Sequence, residues 1–335
     1  MQGDGERQRA GGWGDQQPDA TPGRCVAVVD CGSNSTRLLV AQVADGRVVR
    51  AQRRTVLTRL GGQVERTGRL TGAAIARVTG VLEDYAGRWR AAGCDRVAIC
   101  ATSAVRDAGN AEAFVHAVER ATGVTPLVLS GADEAELTFT GAVAGMDHRQ
   151  VVCDIGGGST ELIVGASAPR HRASLQLGSV RLRERHLHHD PPTRDEYAAL
   201  VADIDAALDD QPDVYRAGGP MPLVAVGGTA TTLAAVAVGA GPDDLDQIDG
   251  AVMPLADLQQ LVEDLAWLPA RHRLEHPAIV SGREDVVVAG ALLLVGIAGR
   301  YGFGAVQVRV ADLLDGIALR LAAGGWPPAR TGLRP

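Results

Sequence analysis

Asp30 and Asp154 stand 124 residues apart, and each heads a short run of small polar residues: Gly32-Ser33-Asn34-Ser35-Thr36 after the first, Gly156-Gly157-Gly158-Ser159-Thr160 after the second. A turn of such residues offers backbone N–H groups and hydroxyls with no bulky side chain in front of them, which suits an anion. Gly32 and Asn34 are also good hairpin residues on structural grounds alone. Two matched copies, each preceded by a carboxylate, favour an anion site, with phosphate as the anion. Asp30 and Asp154 would then hold a divalent cation, directly or through water. The plainer alternative is that each caps its own turn. Beyond the turns the copies diverge at Arg37 against Glu161. That pair reads as an ion pair across an interface, or as a phosphate-binding Arg and a Glu that positions metal or water; the second reading is preferred.

Other segments could join them. Ala101-Thr102-Ser103-Ala104-Val105-Arg106-Asp107 follows an apolar run and places Arg106 at a loop tip. Ser130-Gly131-Ala132-Asp133-Glu134-Ala135-Glu136 opens a helix, where acids are favoured by the macrodipole. Three acids exceed that need, and a carboxylate crowded by other negative charge near phosphates could deprotonate a water. Val226-Gly227-Gly228-Thr229-Ala230-Thr231 is a third Gly-rich turn into a helix, a place for phosphate on Gly228 and Thr229. His171, His186, His188 and His189 lack a familiar ligand pattern, so they and Arg181, Arg183 and Arg185 read as a solvated basic segment. The alternative is that these arginines line a polyanion path.

The elements that must position these residues follow from the repeat. Each copy is an apolar run, a tight turn and a second apolar run, hence strand, turn, strand. In the first half a third strand at Arg47 to Leu57 leads to a helix at about Thr71 to Ala92. A strand (Arg96 to Ala101), a helix (Ala111 to Thr122), a strand (Pro126 to Leu129) and a helix (Asp133 to Ala144) come next. In the second, strands at 151–164 and 171–180 precede a helix at Arg194 to Leu208, a strand at Leu223 to Val226 and a helix near Thr231. Helices at 255–267 and 284–300, a strand at Ala305 to Val310 and a helix at Leu313 to Ala323 complete the chain. The grammar is α/β in both halves. An offset of this length implies two related domains, at 24–146 and 147–325, between a disordered extension at 1–23 and a tail at 326–335.

Composition sets the limits. A chain of 335 residues with 46% hydrophobic content fills two domains, and its apolar runs are broken before the roughly 18 residues needed to cross a membrane. A net charge of −7 argues against general nucleic-acid binding. All 33 basic residues are Arg, which excludes lysine Schiff-base chemistry and the P-loop lysine. Phosphate recognition must therefore use Arg and backbone amides. Five cysteines, with no CxxC pair, fit a reduced cytoplasm.

Taken together, these segments resemble the exopolyphosphatase / guanosine pentaphosphate phosphatase (Ppx/GppA) family in its short two-domain form. The similarity runs from about Val26 to Leu321 and also takes in Gly178-Ser179-Val180-Arg181-Leu182 and Gly282-Arg283-Glu284-Asp285. It implies two related actin-like (ribonuclease H-like) ATPase-superfamily domains with an active-site cleft between them. It further implies Glu134 as general base, and Asp154 and Glu161 near Mg²⁺ (or Mn²⁺) and the attacking water, with Asp30 a further metal candidate. Phosphate contacts are implied for Ser33, Asn34, Arg106, Gly157, Gly158 and Ser159, beside Gly32, Arg37, Gly228 and Thr229 from the turns. The expected reaction is release of terminal orthophosphate from inorganic polyphosphate, on short chains because the helical C-terminal region of long members is missing. Hydrolysis of guanosine pentaphosphate (pppGpp) is the alternative; a non-catalytic polyphosphate or alarmone sensor and a small-molecule kinase are the rivals from other classes. A cytoplasmic homodimer is expected. One departure stands near the C-terminus, where Arg309 and Val310 occupy a stretch that in the family tends to hold Ser-Glu before the Asp matching Asp312.

Overall fold

Apolar runs without alternation mark strands covered on both faces; the two that lead into Asp30 and Asp154 are the central strands of two sheets. The computed structural model describes residues 23–146, 148–219 and 221–325. The expected extension, apart from Gly23, and the tail at 326–335 lie outside the described residues.

The first sheet has the order β3-β2-β1-β4-β5, from β1 (Arg24–Cys31), β2 (Ser35–Ala44), β3 (Arg47–Leu57), β4 (Arg96–Ala101) and β5 (Leu127–Val128). The second, read from its β8 edge, is β8-β7-β6-β9-β11-β10. Its strands are β6 (Gln150–Ile155), β7 (Thr160–Gly165), β8 (Pro169–Leu175), β9 (Leu223–Val226), β10 (Val252–Pro254) and β11 (Ala305–Val308). In each sheet three antiparallel strands are followed by parallel pairing, β1 to β4 to β5 in the first and β6 to β9 to β11 in the second. The halves are thus topological copies, as the actin-like expectation requires, and β10 is a three-strand-residue addition at one edge.

Helices of the first half are α1 (Val64–Thr67), α2 (Gly72–Ala91), α3 (Ser103–Arg106), α4 (Ala111–Thr122) and α5 (Gly131–Ala142). Those of the second are α6 (Ser179–His186), α7 (Arg194–Asp209), α8 (Gly227–Val238), α9 (Leu245–Ile248), α10 (Leu255–Ala266), α11 (Ala270–Arg273), α12 (Val287–Arg300) and α13 (Leu313–Ala322). One face of the first sheet packs on α2 and α4 through Val78, Leu82, Phe114 and Val118. Its other face is covered from the far end of the chain: Leu313, Leu314, Ile317 and Leu321 of α13 join Val26, Val28 and Leu39. In return α5 lays Ala135 and Phe139 on Val152, Ile163 and Val224 of the second sheet. The last helix therefore packs with the first sheet although its position in the chain groups it with the second. Residues 179–186, expected to end a strand and enter a solvated stretch, form α6 instead.

Candidate active site

Parallel pairing brings the carboxyl ends of β1, β4, β5, β6, β9 and β11 toward one cleft, the usual ligand position in α/β sheets. Past those ends come, in turn, Gly32 to Asn34, Thr102 and Ser103, Glu134, Gly156 to Ser159, Gly227 to Thr229, and Asp312. All except Gly158 and Asp312 line a single cavity.

The two turns are built alike. Asp30 pairs across the hairpin with Arg37, and Asp154 with Glu161. The Gly32 N–H donates to the Ser35 carbonyl at 2.9 Å and the Gly156 N–H to the Ser159 carbonyl at 3.0 Å. The turns meet face to face, which gives the glycines a second reason. A Cβ on Gly157 would stand 2.9 Å from the Ser33 Cβ, and one on Gly158 2.7 Å from the Ser103 Oγ. Ser33 and Ser103 share a hydrogen bond at 2.9 Å, tying the first turn to the β4 loop. The third turn opens α8, whose N-terminus has no side-chain cap, so its first N–H groups remain available to an anion. Gly227 has φ +84, and a Cβ there would lie 2.5 Å from Asp154 Oδ1.

The acids of α5 take three separate tasks. Asp133 belongs to the helix cap, its N–H donating to the Ser130 Oγ. Glu136 pairs with Arg172 and Arg320. Glu134 alone turns into the cavity, where its Oε2 accepts from Arg106 Nη1 at 2.9 Å. Burial pushes the Glu134 carboxyl up to about 7, with Arg106 opposing and the charges of Asp30 and Asp154 reinforcing. Burial and the Asp312 charge push Asp154 up to about 7 as well. Asp30 and Glu161 are shifted upward by burial too, and the Ser174 hydroxyl donates to Glu161 Oε1 at 2.7 Å.

Two expected phosphate ligands also make contacts within the protein. Arg37 donates to Asp30 at 2.8 and 3.1 Å and to Asp312, the N-cap of α13. It is an ion-pair hub between hairpin and last helix and does not pair with Glu161. Arg106, the last residue of α3 and not a loop tip, holds Glu134 and the Leu129 carbonyl through Nη1, while its buried Nη2 has no partner among the described residues. In the basic segment at 181–189, Arg181 pairs with Glu65 and Asp107, and Arg185 with Glu65 and Asp203. Arg283, left out of the expected site, lines the cavity beside Gly228, and among the described residues no hydrogen bond or ion pair engages its guanidinium. Burial and the Arg37 charge pull it down to about 10. Only the segment 282–285 pointed to it in the sequence.

The donors suit a hard divalent cation. Asp30 Oδ1 is buried without a partner, and the carboxylates of Asp30, Asp154 and Glu161 raise one another's affinity for positive charge. Among the described residues no three His, Cys or acidic groups converge as a closed ligand set. A cation there would be held by one or two carboxylates, with water and substrate oxygens filling the remaining positions.

The model of the Ppx/GppA phosphatase family matches residues 39–301. The chain belongs to that family. It is 37% identical to Exopolyphosphatase 2 of Mycobacterium tuberculosis over 318 residues, covering 89% of this chain and 98% of that protein. A crystal structure of an exopolyphosphatase-like protein superposes with a TM-score of 0.83 at 33% identity, covering 90% of this chain and 98% of the other. The Ppx/GppA family member of Aquifex aeolicus gives a TM-score of 0.75 at 28% identity, covering 91% and 99%.

Proposed function

We propose that this protein is an exopolyphosphatase that releases terminal orthophosphate from inorganic polyphosphate, with Glu134 as general base. One observation carries the reading: a buried carboxylate held near neutrality in a cavity whose other walls are two opposed anion-binding turns and an uncapped helix N-terminus. A base with an affinity for protons near the working pH is the one best matched to deprotonating water. The cavity is small, about 70 Å³, and meets a groove of about 790 Å³ at Arg37, Gly227, Gly228 and Arg283. A terminal phosphoryl group fits the first; the remainder of a chain belongs in the second.

In this reading the N–H groups of the turns at 32–34 and 156–159, with Ser33, Asn34 and Ser159, orient the terminal phosphoryl group. The free Arg106 Nη2 and the unpaired Arg283 meet its equatorial oxygens, where charge grows in the transition state. Glu134 Oε2 takes the proton of the in-line water. Arg106, bonded to that same oxygen, couples phosphate binding to the release of the base. Asp154, with Asp30 or Glu161 beside it, would hold Mg²⁺, which would offset the charge of substrate and leaving group. Asp312 and Asp30 fix Arg37 beneath the site.

A cytoplasmic homodimer accompanies the proposal, and light scattering on the purified chain tests the dimer. Among the described residues no helix is long and apolar enough to cross a membrane. The deciding experiment measures orthophosphate release from short polyphosphate and from guanosine pentaphosphate at equal concentration. Faster turnover of polyphosphate supports the reading; preference for the nucleotide, or release from neither, overturns it.

A further inference from the structure

Five cysteines divide sharply by environment. Cys31, Cys100 and Cys153 are wholly buried in the cores, where burial raises their thiols and keeps them inert. Cys25 and Cys94 are half-buried, and their Sγ atoms lie 2.8 Å apart. That separation is inside the contact distance of two sulfurs and longer than the bond of about 2.05 Å that would join them. Cys25 is the second residue of β1, and Cys94 sits in the turn between α2 and β4, two residues before β4 begins. Parallel pairing of Val26 with Arg96 holds the two segments side by side, so the contact is set by the sheet register. Neither thiol lines the catalytic cavity, and Asp30 lies at the opposite end of β1.

We propose that Cys25 and Cys94 form a modification site, a dithiol that a low-molecular-weight disulfide oxidises to an intramolecular Cys25–Cys94 bond. The Cys25 thiolate attacks one sulfur of the reagent, whose S–S bond breaks and expels a thiolate. Cys94, deprotonated by solvent, attacks the Cys25 Sγ of this mixed disulfide, and the second reagent thiolate leaves as the Cys25–Cys94 bond forms. The protein gives up two electrons and two protons; the reagent ends as two thiols. Cys25 is the natural first nucleophile, because the hydrogen bond from Cys94 favours its thiolate, while Cys94 is shifted upward. The product staples the start of β1 to the α2–β4 turn across 69 residues of chain, which restricts the unfolded state.

The test titrates the reduced full-length protein with glutathione disulfide, traps remaining thiols with iodoacetamide and maps the digest by mass spectrometry. The expected product is one cross-linked peptide containing Cys25 and Cys94, with Cys31, Cys100 and Cys153 alkylated only after denaturation. Cys94→Ser should stop at a glutathione adduct on Cys25. Oxidation should also raise the thermal midpoint of the natural chain by roughly 5 °C and leave that of Cys25→Ser unchanged. Absence of the cross-link under excess oxidant, a bond involving another cysteine, a glutathione adduct that persists on the natural chain, or a cross-link without a gain in midpoint would each overturn the proposal.

Discussion

Among three neighbouring acids, only Glu134 faces the cavity, because Asp133 is spent on the helix cap and Glu136 on Arg172 and Arg320. Replacing it with Gln keeps the shape and removes the proton acceptor. Turnover should fall by at least about 10²-fold while KM changes little, and a variant that hydrolyses at the original rate would remove Glu134 from the chemistry. The same residue sets a pH dependence. A base acts when deprotonated, and burial holds Glu134 at about 7, so the rate should rise with pH through about 7 and level above it. Phosphate release followed across that range checks this, and Glu134→Gln should lose the limb. Gly, Ser and Asn are ordinary hairpin residues as well, so what marked these turns in the sequence was their recurrence behind two aspartates 124 residues apart. Arginine partners were less legible. The sequence marked Arg37 for phosphate and left Arg283 out; packing shows that the first is clamped by two aspartates and the second faces the cavity.

At the scale of elements, the repeated strand-turn-strand was readable, and the structure adds its register, with Asp30 opposite Arg37 and Asp154 opposite Glu161. Helix α6 was not. Its arginines at 181, 183 and 185 alternate as a strand would, yet on a helix Arg181 and Arg185 share a face, and both reach Glu65 of α1. Charge across an interface, invisible in local pattern, decides that segment. The same holds for α13, whose apolar face matches the first sheet as well as the second by composition. What fixes it there is a crossing with α5 made at glycine: a Cβ on Gly316 would collide with the Leu137 carbonyl, and one on Gly141 with the Asp312 carbonyl. These helices carry Glu134 and Asp312, so their separation sets the depth of the site. Gly316→Ala should cost about 1–3 kcal/mol by overpacking and lower turnover together with stability. Urea denaturation and phosphate release on one preparation test it; a variant as stable and active as the natural chain would show that the crossing has slack.

For the molecule as a whole, two sheets closing on one cavity bring together more negative charge than its guanidinium groups balance. Burial shifts Asp30, Glu134, Asp154 and Glu161 upward. A carboxyl held above its ordinary value in the folded state binds a proton that the unfolded chain releases, so its contribution to stability is complete below the unfolded value and is lost as pH rises through the folded one. For Asp154, moved from 3.8 to about 7, the loss reaches about 4 kcal/mol at most. Carboxylates held low by partners, Glu65, Asp203 and Glu196, change their contribution only at more acid pH, so the interval from about 5 to about 8 belongs to the carboxyls held high, the four of the cavity and Asp315 outside it. In cation-free buffer the thermal midpoint should therefore fall across that interval. Mg²⁺ competes with protons for the same oxygens and binds the folded chain alone; it should restore more of the midpoint at about pH 8 than at about pH 5. Calorimetry at both pH values, with and without Mg²⁺, measures the difference, and Asp154→Asn should shrink it. Equal shifts at the two pH values, or a midpoint that climbs with pH before Mg²⁺ is added, would mean that these carboxylates are not the cation's ligands.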